Sequence, residues 1–127
     1  MYFMVNGTNK KSSDCAIFNV NASVMAAVNW SPDPLGHDGM TMTFKVNQQL
    51  NRTSTIFTRI MFSFNDDKGH IIGYTLHPVE RNATVIQDTF NVVIPRKIPS
   101  KHTISVALEA LGIYTHCITF YRDSRSG

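Results

Sequence analysis

Apolar and polar residues alternate with period two along most of this chain, and that rhythm sets its fold class. Met40, Met42, Phe44 and Val46 share one face of a segment whose other face carries Thr41, Thr43 and Lys45. Ile56, Ile60, Phe62 and Phe64 likewise oppose Arg59 and Ser63, and Ile104, Val106 and Leu108 oppose Thr103, Ser105 and Glu109. Alternation of this kind marks a strand with one buried face. Less regular strand segments fall at residues 17–20, 23–28, 71–76, 84–86, 90–94 and 114–121.

Turn chemistry separates the segments. Pro32-Asp33-Pro34-Leu35-Gly36 and Asp38-Gly39 interrupt the chain before the Met40 segment, and Asn65-Asp66-Asp67-Lys68-Gly69 closes a hairpin between Phe64 and Ile71. Pro95 and Pro99 punctuate the approach to the Ile104 strand, and Gly112 ends it. Seven or eight short strands at this spacing predict an all-β fold, an antiparallel two-sheet β-sandwich of immunoglobulin-like architecture. With 127 residues the chain has room for one such domain. We expect it over residues 13–122, between a flexible N-terminal segment at 1–12 and a flexible tail at 123–127.

Five Asn-x-Ser/Thr sequons, at Asn6, Asn21, Asn29, Asn51 and Asn82, exceed the roughly two expected by chance among ten asparagines. Glycosylation acceptors point to the secretory pathway, where thiols oxidise, so Cys15 and Cys117 are expected to form a disulfide. Such a bridge would remove about 4–5 kcal/mol of unfolded-chain entropy in the chain-entropy account. Asn6, Asn51 and Asn82 fall in predicted ends or loops and are the expected glycosylation sites; Asn29, followed by Trp30, Ser31 and Pro32, is expected to be a poor one. The expected location is extracellular or the endosomal or lysosomal lumen. Met1-Tyr2-Phe3-Met4-Val5 is too short for a signal-peptide core.

The search for chemistry returns little. The five histidines, His37, His70, His77, His102 and His116, stand at no metal-ligand spacing, and no C-x-x-C, P-loop, G-x-S-x-G or G-x-G-x-x-G occurs. No catalytic residue, metal or cofactor is expected, and the chain is not read as an enzyme. His102 falls on the inward face of its strand, where a satisfied histidine is the ordinary explanation. A net charge of +3 with scattered Lys and Arg, and no basic–aromatic interleaving, gives nucleic-acid binding no support. Eight Phe and six Met are a generous supply for this length. They admit two readings, a filled sandwich core or an inter-sheet gap lined by adaptable thioethers and rings that holds an acyl chain or sterol.

The C-terminal third carries a resemblance. Val93-Ile94-Pro95-Arg96-Lys97-Ile98-Pro99-Ser100-Lys101-His102-Thr103-Ile104-Ser105-Val106, then Gly112, then His116-Cys117-Ile118-Thr119-Phe120, resembles the ML family of lipid-recognition domains. That family includes the lysosomal sterol carrier lost in Niemann–Pick disease and the group-2 mite allergens. Ser13-Asp14-Cys15 looks like its first-cysteine motif, and Pro32-Asp33-Pro34 with Gly36 looks like its next segment. The resemblance spans residues 13–122 and pairs Cys15 with Cys117. It departs from the family near Pro32–Gly39 and at Leu76-His77-Pro78-Val79, where further cysteines are common and His77 stands instead.

The resemblance implies a monomeric carrier that holds a sterol or phospholipid acyl chain between two sheets, with transient contact to a membrane or receptor. The cavity wall it implies is Met42, Phe44, Ile60, Phe62, Phe90, Val92, Ile104 and Val106. Ile98 and Pro99 would form the mouth, and Arg96, Lys97 and Lys101 would touch headgroups or membrane. The competing expectation is an immunoglobulin-like adhesion or immune-receptor module with protein partners. Against it, Cys15 and Cys117 are too far apart for the usual inter-sheet pair, Trp30 lies in no Cys-Trp-Cys arrangement, and Thr115 occupies the place of the corner tyrosine.

Overall fold

The computed structural model describes residues 11–12, 23–24, 27–31 and 38–122, and these form two packed β-sheets. The strands are β1 (Lys11–Ser12), β2 (Ser23–Val24), β3 (Ala27–Ser31), β4 (Thr41–Gln49), β5 (Thr58–Asp66), β6 (Ile71–Pro78), β7 (Val85–Val93), β8 (His102–Ala110) and β9 (Ile113–Arg122). One sheet runs β3-β4-β7. The other has four long strands in the order β9-β8-β5-β6, with the two-residue β1 and β2 added on β9. All pairings are antiparallel except β2 with β9. The predicted β-sandwich is therefore the observed architecture. Its sheet reaches Lys11, two residues before the expected domain start.

Alternation places the core. Met42, Phe44 and Val46 of β4 and Phe90 and Val92 of β7 point from the three-stranded sheet toward Ile60, Phe62 and Phe64 of β5, Ile104, Val106 and Leu108 of β8, and Ile118 and Phe120 of β9. The ring centroids of Phe44 and Phe62 lie 4.6 Å apart, and Trp30 meets Phe120 edge-on at 4.5 Å. Each such buried side chain contributes about 1.5–3 kcal/mol relative to exposure.

Several expectations are corrected. Met40 precedes its strand and is exposed, and Ile56 sits in a turn before β5 and is exposed as well. The segments predicted at 84–86 and 90–94 are one strand, β7, whose exposed Gln87-Asp88-Thr89 hides its continuity. The centre of the outward face of the four-stranded sheet is not a solvent face, because Ser63, Asn65, Thr103, Ser105, Glu109 and Thr119 are all buried, while Arg59, Tyr74 and Tyr121 on the same face are exposed. Asn65 Nδ2 donates to Thr103 Oγ1 at 3.0 Å and to Ser105 Oγ at 3.2 Å, and Ser105 shares a hydrogen bond with Thr119. Cys117 is disulfide-bonded, and the chain's only other cysteine, Cys15, lies outside the described residues. Asn6, Asn21 and the strand predicted at 17–20 lie outside them as well.

β6 and β7 meet where the two sheets come together along one edge, without a backbone ladder between them. His77 spans this seam: its Nε2 lies 3.0 Å from the carbonyl oxygen of Asn91, and its ring packs against Phe62 and Phe90. At Gly73 a Cβ would fall 2.9 Å from Pro95, so only glycine allows this close approach.

Candidate functional site

At the end of the sandwich where β4 finishes and β5 begins, the loop at residues 50–58 and the adjoining ends of β8 and β9 enclose a pocket of about 630 Å3. Leu50 and Leu108 form its apolar inner wall, with Ala110 beside them, and Phe57, Leu111 and Ile113 stand around it. The outer three are exposed by 49%, 72% and 67% respectively, which is unusual for such side chains grouped in one place.

Local chemistry holds this arrangement. Leu50 N donates to Thr84 O, Ser54 N donates to Ala83 O and Asn82 N donates to Ser54 O, at 3.0, 2.9 and 3.0 Å. Ser54 Oγ donates to the Glu80 carbonyl and accepts from Ala83 N, so the 51–57 loop is pinned to the 80–84 loop. Thr55 N donates to Thr58 Oγ1 and Phe57 N donates to Thr55 Oγ1, a tight turn that leaves the Phe57 ring outside. Across the pocket, Leu111 and Gly112 join β8 to β9 with φ of 53° and 82°. A leucine in the left-handed region is uncommon; Asn-Gly is the ordinary choice for such a turn. A backbone outlier with an exposed apolar side chain points to a role outside the fold.

Glu109 supplies the pocket's acid, and its charge is matched. Arg59 Nε and Nη2 donate to its two carboxylate oxygens at 3.0 Å each, and Gly112 N donates to Oε2 at 3.1 Å. A fork of this kind is the strong geometry for an Arg–carboxylate pair. Deeper in, His116 is buried, with Nδ1 3.1 Å from Thr115 Oγ1. Burial pushes its ring below the ordinary histidine range, because the charged form is poorly solvated there. Among the described residues, no group of three or more His, Cys, Asp or Glu could hold a metal ion.

The residues singled out in the sequence fall elsewhere. Met42, Phe44, Ile60, Phe62, Phe90, Val92, Ile104 and Val106 are all buried in the core, where Phe62 also meets Phe90 at 5.4 Å, and none of them lines this pocket. Ile98 is buried in the same core and Pro99 is half-buried. Arg96, Lys97 and Lys101 are exposed on the loop before β8, at the opposite end of the sandwich from the pocket. That loop is tied down by Lys97 N donating to Asp38 Oδ2 at 3.4 Å and by Gly39 N donating to Ile94 O. His102 faces inward as expected, its Nδ1 2.9 Å from the Pro99 carbonyl oxygen. Asn51 is exposed on the pocket itself, Asn82 is exposed on the adjoining loop, and Asn29 is half-buried in β3. Sequence reasoning missed the pocket, although Phe57, Leu111 and Ile113, large apolar residues at or beside turns, were its visible signal.

Comparison of the chain with models of known protein families gave no match, and comparison with curated proteins gave none.

Proposed function

We propose that this domain is a lipid-binding module of the ML kind, holding the hydrocarbon part of a lipid at the open end of its sandwich. The observation that carries the reading is the pocket walled by Leu50, Leu108, Phe57, Leu111 and Ile113. Its size lies in the range of pockets that enclose small ligands. Transfer of an alkyl chain from water recovers about 0.8 kcal/mol per buried methylene, so ten methylenes supply about 8 kcal/mol, against about 1 kcal/mol for one hydrogen bond. Chain length should therefore dominate affinity. The loop bearing Arg96, Lys97 and Lys101 lies far from this pocket, so headgroup contact at the pocket falls to other residues. Location in a secretory or lysosomal lumen and glycosylation at Asn51 and Asn82 belong to the same proposal.

The experiment is titration with a fluorescent fatty-acid analogue, using wild type and Ala110→Trp. Ala110 is half-buried and lines the pocket, so the indole should fill ligand space. Binding should fall at least tenfold while the urea midpoint stays within that of a surface change, about 0.5 kcal/mol. Equal binding by both proteins would move the ligand elsewhere or remove it.

One observation favours the rival reading, an adhesion-type module. A shallow depression of about 420 Å3 on the three-stranded sheet is lined by Val46 and by the polar residues Asn29, Lys45, Asn47, Gln87, Asp88 and Thr89, a mostly polar surface suited to another protein. A wild type that binds no lipid would favour that surface.

A further inference from the structure

We infer that the ligand of the end pocket is a single-chain amphiphile with an anionic head, and that His116 holds that head. This rests on the lipid-binding reading and names its ligand class. The first ground is geometric. His116 lines the pocket and is buried, and Thr115 occupies the neighbourhood of Nδ1, which leaves Nε2 as the ring nitrogen for a ligand atom. The second is the charge that remains once internal pairs are counted. Glu109, on β8, is taken up by Arg59 of β5 and by Gly112 N at the β8–β9 turn. The 50–57 loop contributes Arg52, a cation, and β9 contributes His116 itself, while its neighbour Cys117 does not titrate. With the one lining acid neutralised, the field inside the pocket favours an anion over a cation or a neutral head.

The third ground is extent. Beyond Leu108 the sandwich is filled by Phe44 and Phe62 in direct ring contact, so the pocket has no continuation for a second long chain. A head held at His116 leaves the chain along Leu111, Ile113 and Phe57, which accounts for apolar side chains standing at the rim. Burial disfavours the imidazolium in the free protein. An anion beside the ring reverses that preference, so binding should take up a proton and tighten as pH falls.

The test uses dodecanesulfonate, which is anionic at every working pH, and dodecanol as the neutral chain of equal length. Affinities are measured by calorimetry between about pH 7 and about pH 5, across the ordinary histidine range. Sulfonate affinity should rise toward acid by up to about tenfold per pH unit, the limit for one linked proton, and dodecanol affinity should stay flat. Calorimetry in two buffers of different ionisation enthalpy should show proton uptake with the sulfonate alone, a result that needs no variant. His116→Gln should lose the pH dependence of sulfonate binding. Dodecanol binding together with pH-independent sulfonate binding, or unchanged pH dependence in His116→Gln, overturns this inference and leaves the lipid reading standing. Binding of neither chain overturns both.

Discussion

In the three-stranded sheet, β4 buries every second side chain and shows the rest to solvent, whereas β8 of the four-stranded sheet is buried on both faces from His102 to Glu109. Their sequences differ little in rhythm, since both alternate apolar with polar residues. The difference lies in the polar set. The outward residues of β4 are Thr41, Thr43, Lys45, Asn47 and Gln49, with a lysine and two amides; those of β8 are Thr103, Ser105, Ala107 and Glu109, the last paired with Arg59. Small hydroxyls can satisfy one another in a dry interior, as Asn65, Ser105 and Thr119 do, but Lys45 could not be buried without a partner. Whether an outward charge has a partner, more than polarity, separates a solvent face from a covered one: Glu109 is buried with its carboxylate held by Arg59.

The largest expected effect tests that contrast directly. Ser105→Lys puts an unpaired charge on the covered face and should cost about 3–5 kcal/mol. Gln87→Lys on the open face of β7, opposite Asn47, should stay within about 0.5 kcal/mol. Urea unfolding of both proteins reads the difference, and equal costs would mean that the two faces are not distinct. A smaller effect is expected at Asn65, whose removal by Asn65→Ala strands buried partners and should cost about 1–3 kcal/mol. Asn91→Ala, which removes only an exposed 3.3 Å bond from Thr43, should be close to neutral.

The smallest effect is in acid. The ring of His116 titrates lower in the folded state than its ordinary value of 6.5, so the unfolded chain binds more protons between the two. Stability without ligand should therefore decline as pH falls through 6.5 toward the folded value, then level off. Asp66 works in the opposite sense to an ordinary buried acid. Its carboxylate accepts from the backbone N–H groups of His70 and Lys68, which hold its pKa below 3.8 despite an opposing desolvation effect. The stability it contributes is present above 3.8 and is lost as pH falls through the folded value. His116→Gln should flatten the melting temperature near pH 6 while leaving the loss at strongly acid pH.

Much of the architecture was legible. The runs 42–46, 60–64 and 104–108 declared their inward faces, and the Asp66–Gly69 turn joins β5 to β6 as its composition required. Where reading stopped short, the reasons are physical. Ile56 kept the right parity for β5, but the Thr55–Thr58 turn takes its backbone bonds first. Gln87-Asp88-Thr89 looked like a break, yet β4 pairs with it residue for residue. The pocket was illegible because alternation tells which way a side chain points and says nothing of where a loop stands off the end of a sheet. Phe62 and Leu108 share one parity; only the structure shows that the first meets a ring and the second borders open space.

The seam between β6 and β7 has a consequence for solubility. Among the described residues each is the outer strand of its sheet, and an unpaired strand edge invites an added strand from another chain. Here the two edges guard one another. His77 engages the Asn91 carbonyl, the ring of Pro95 lies against Gly73, and Pro78 ends β6 without an N–H to offer. A histidine and two prolines thus block the register that an intruding strand would need, and a side chain at position 73 would open that register by forcing Pro95 away.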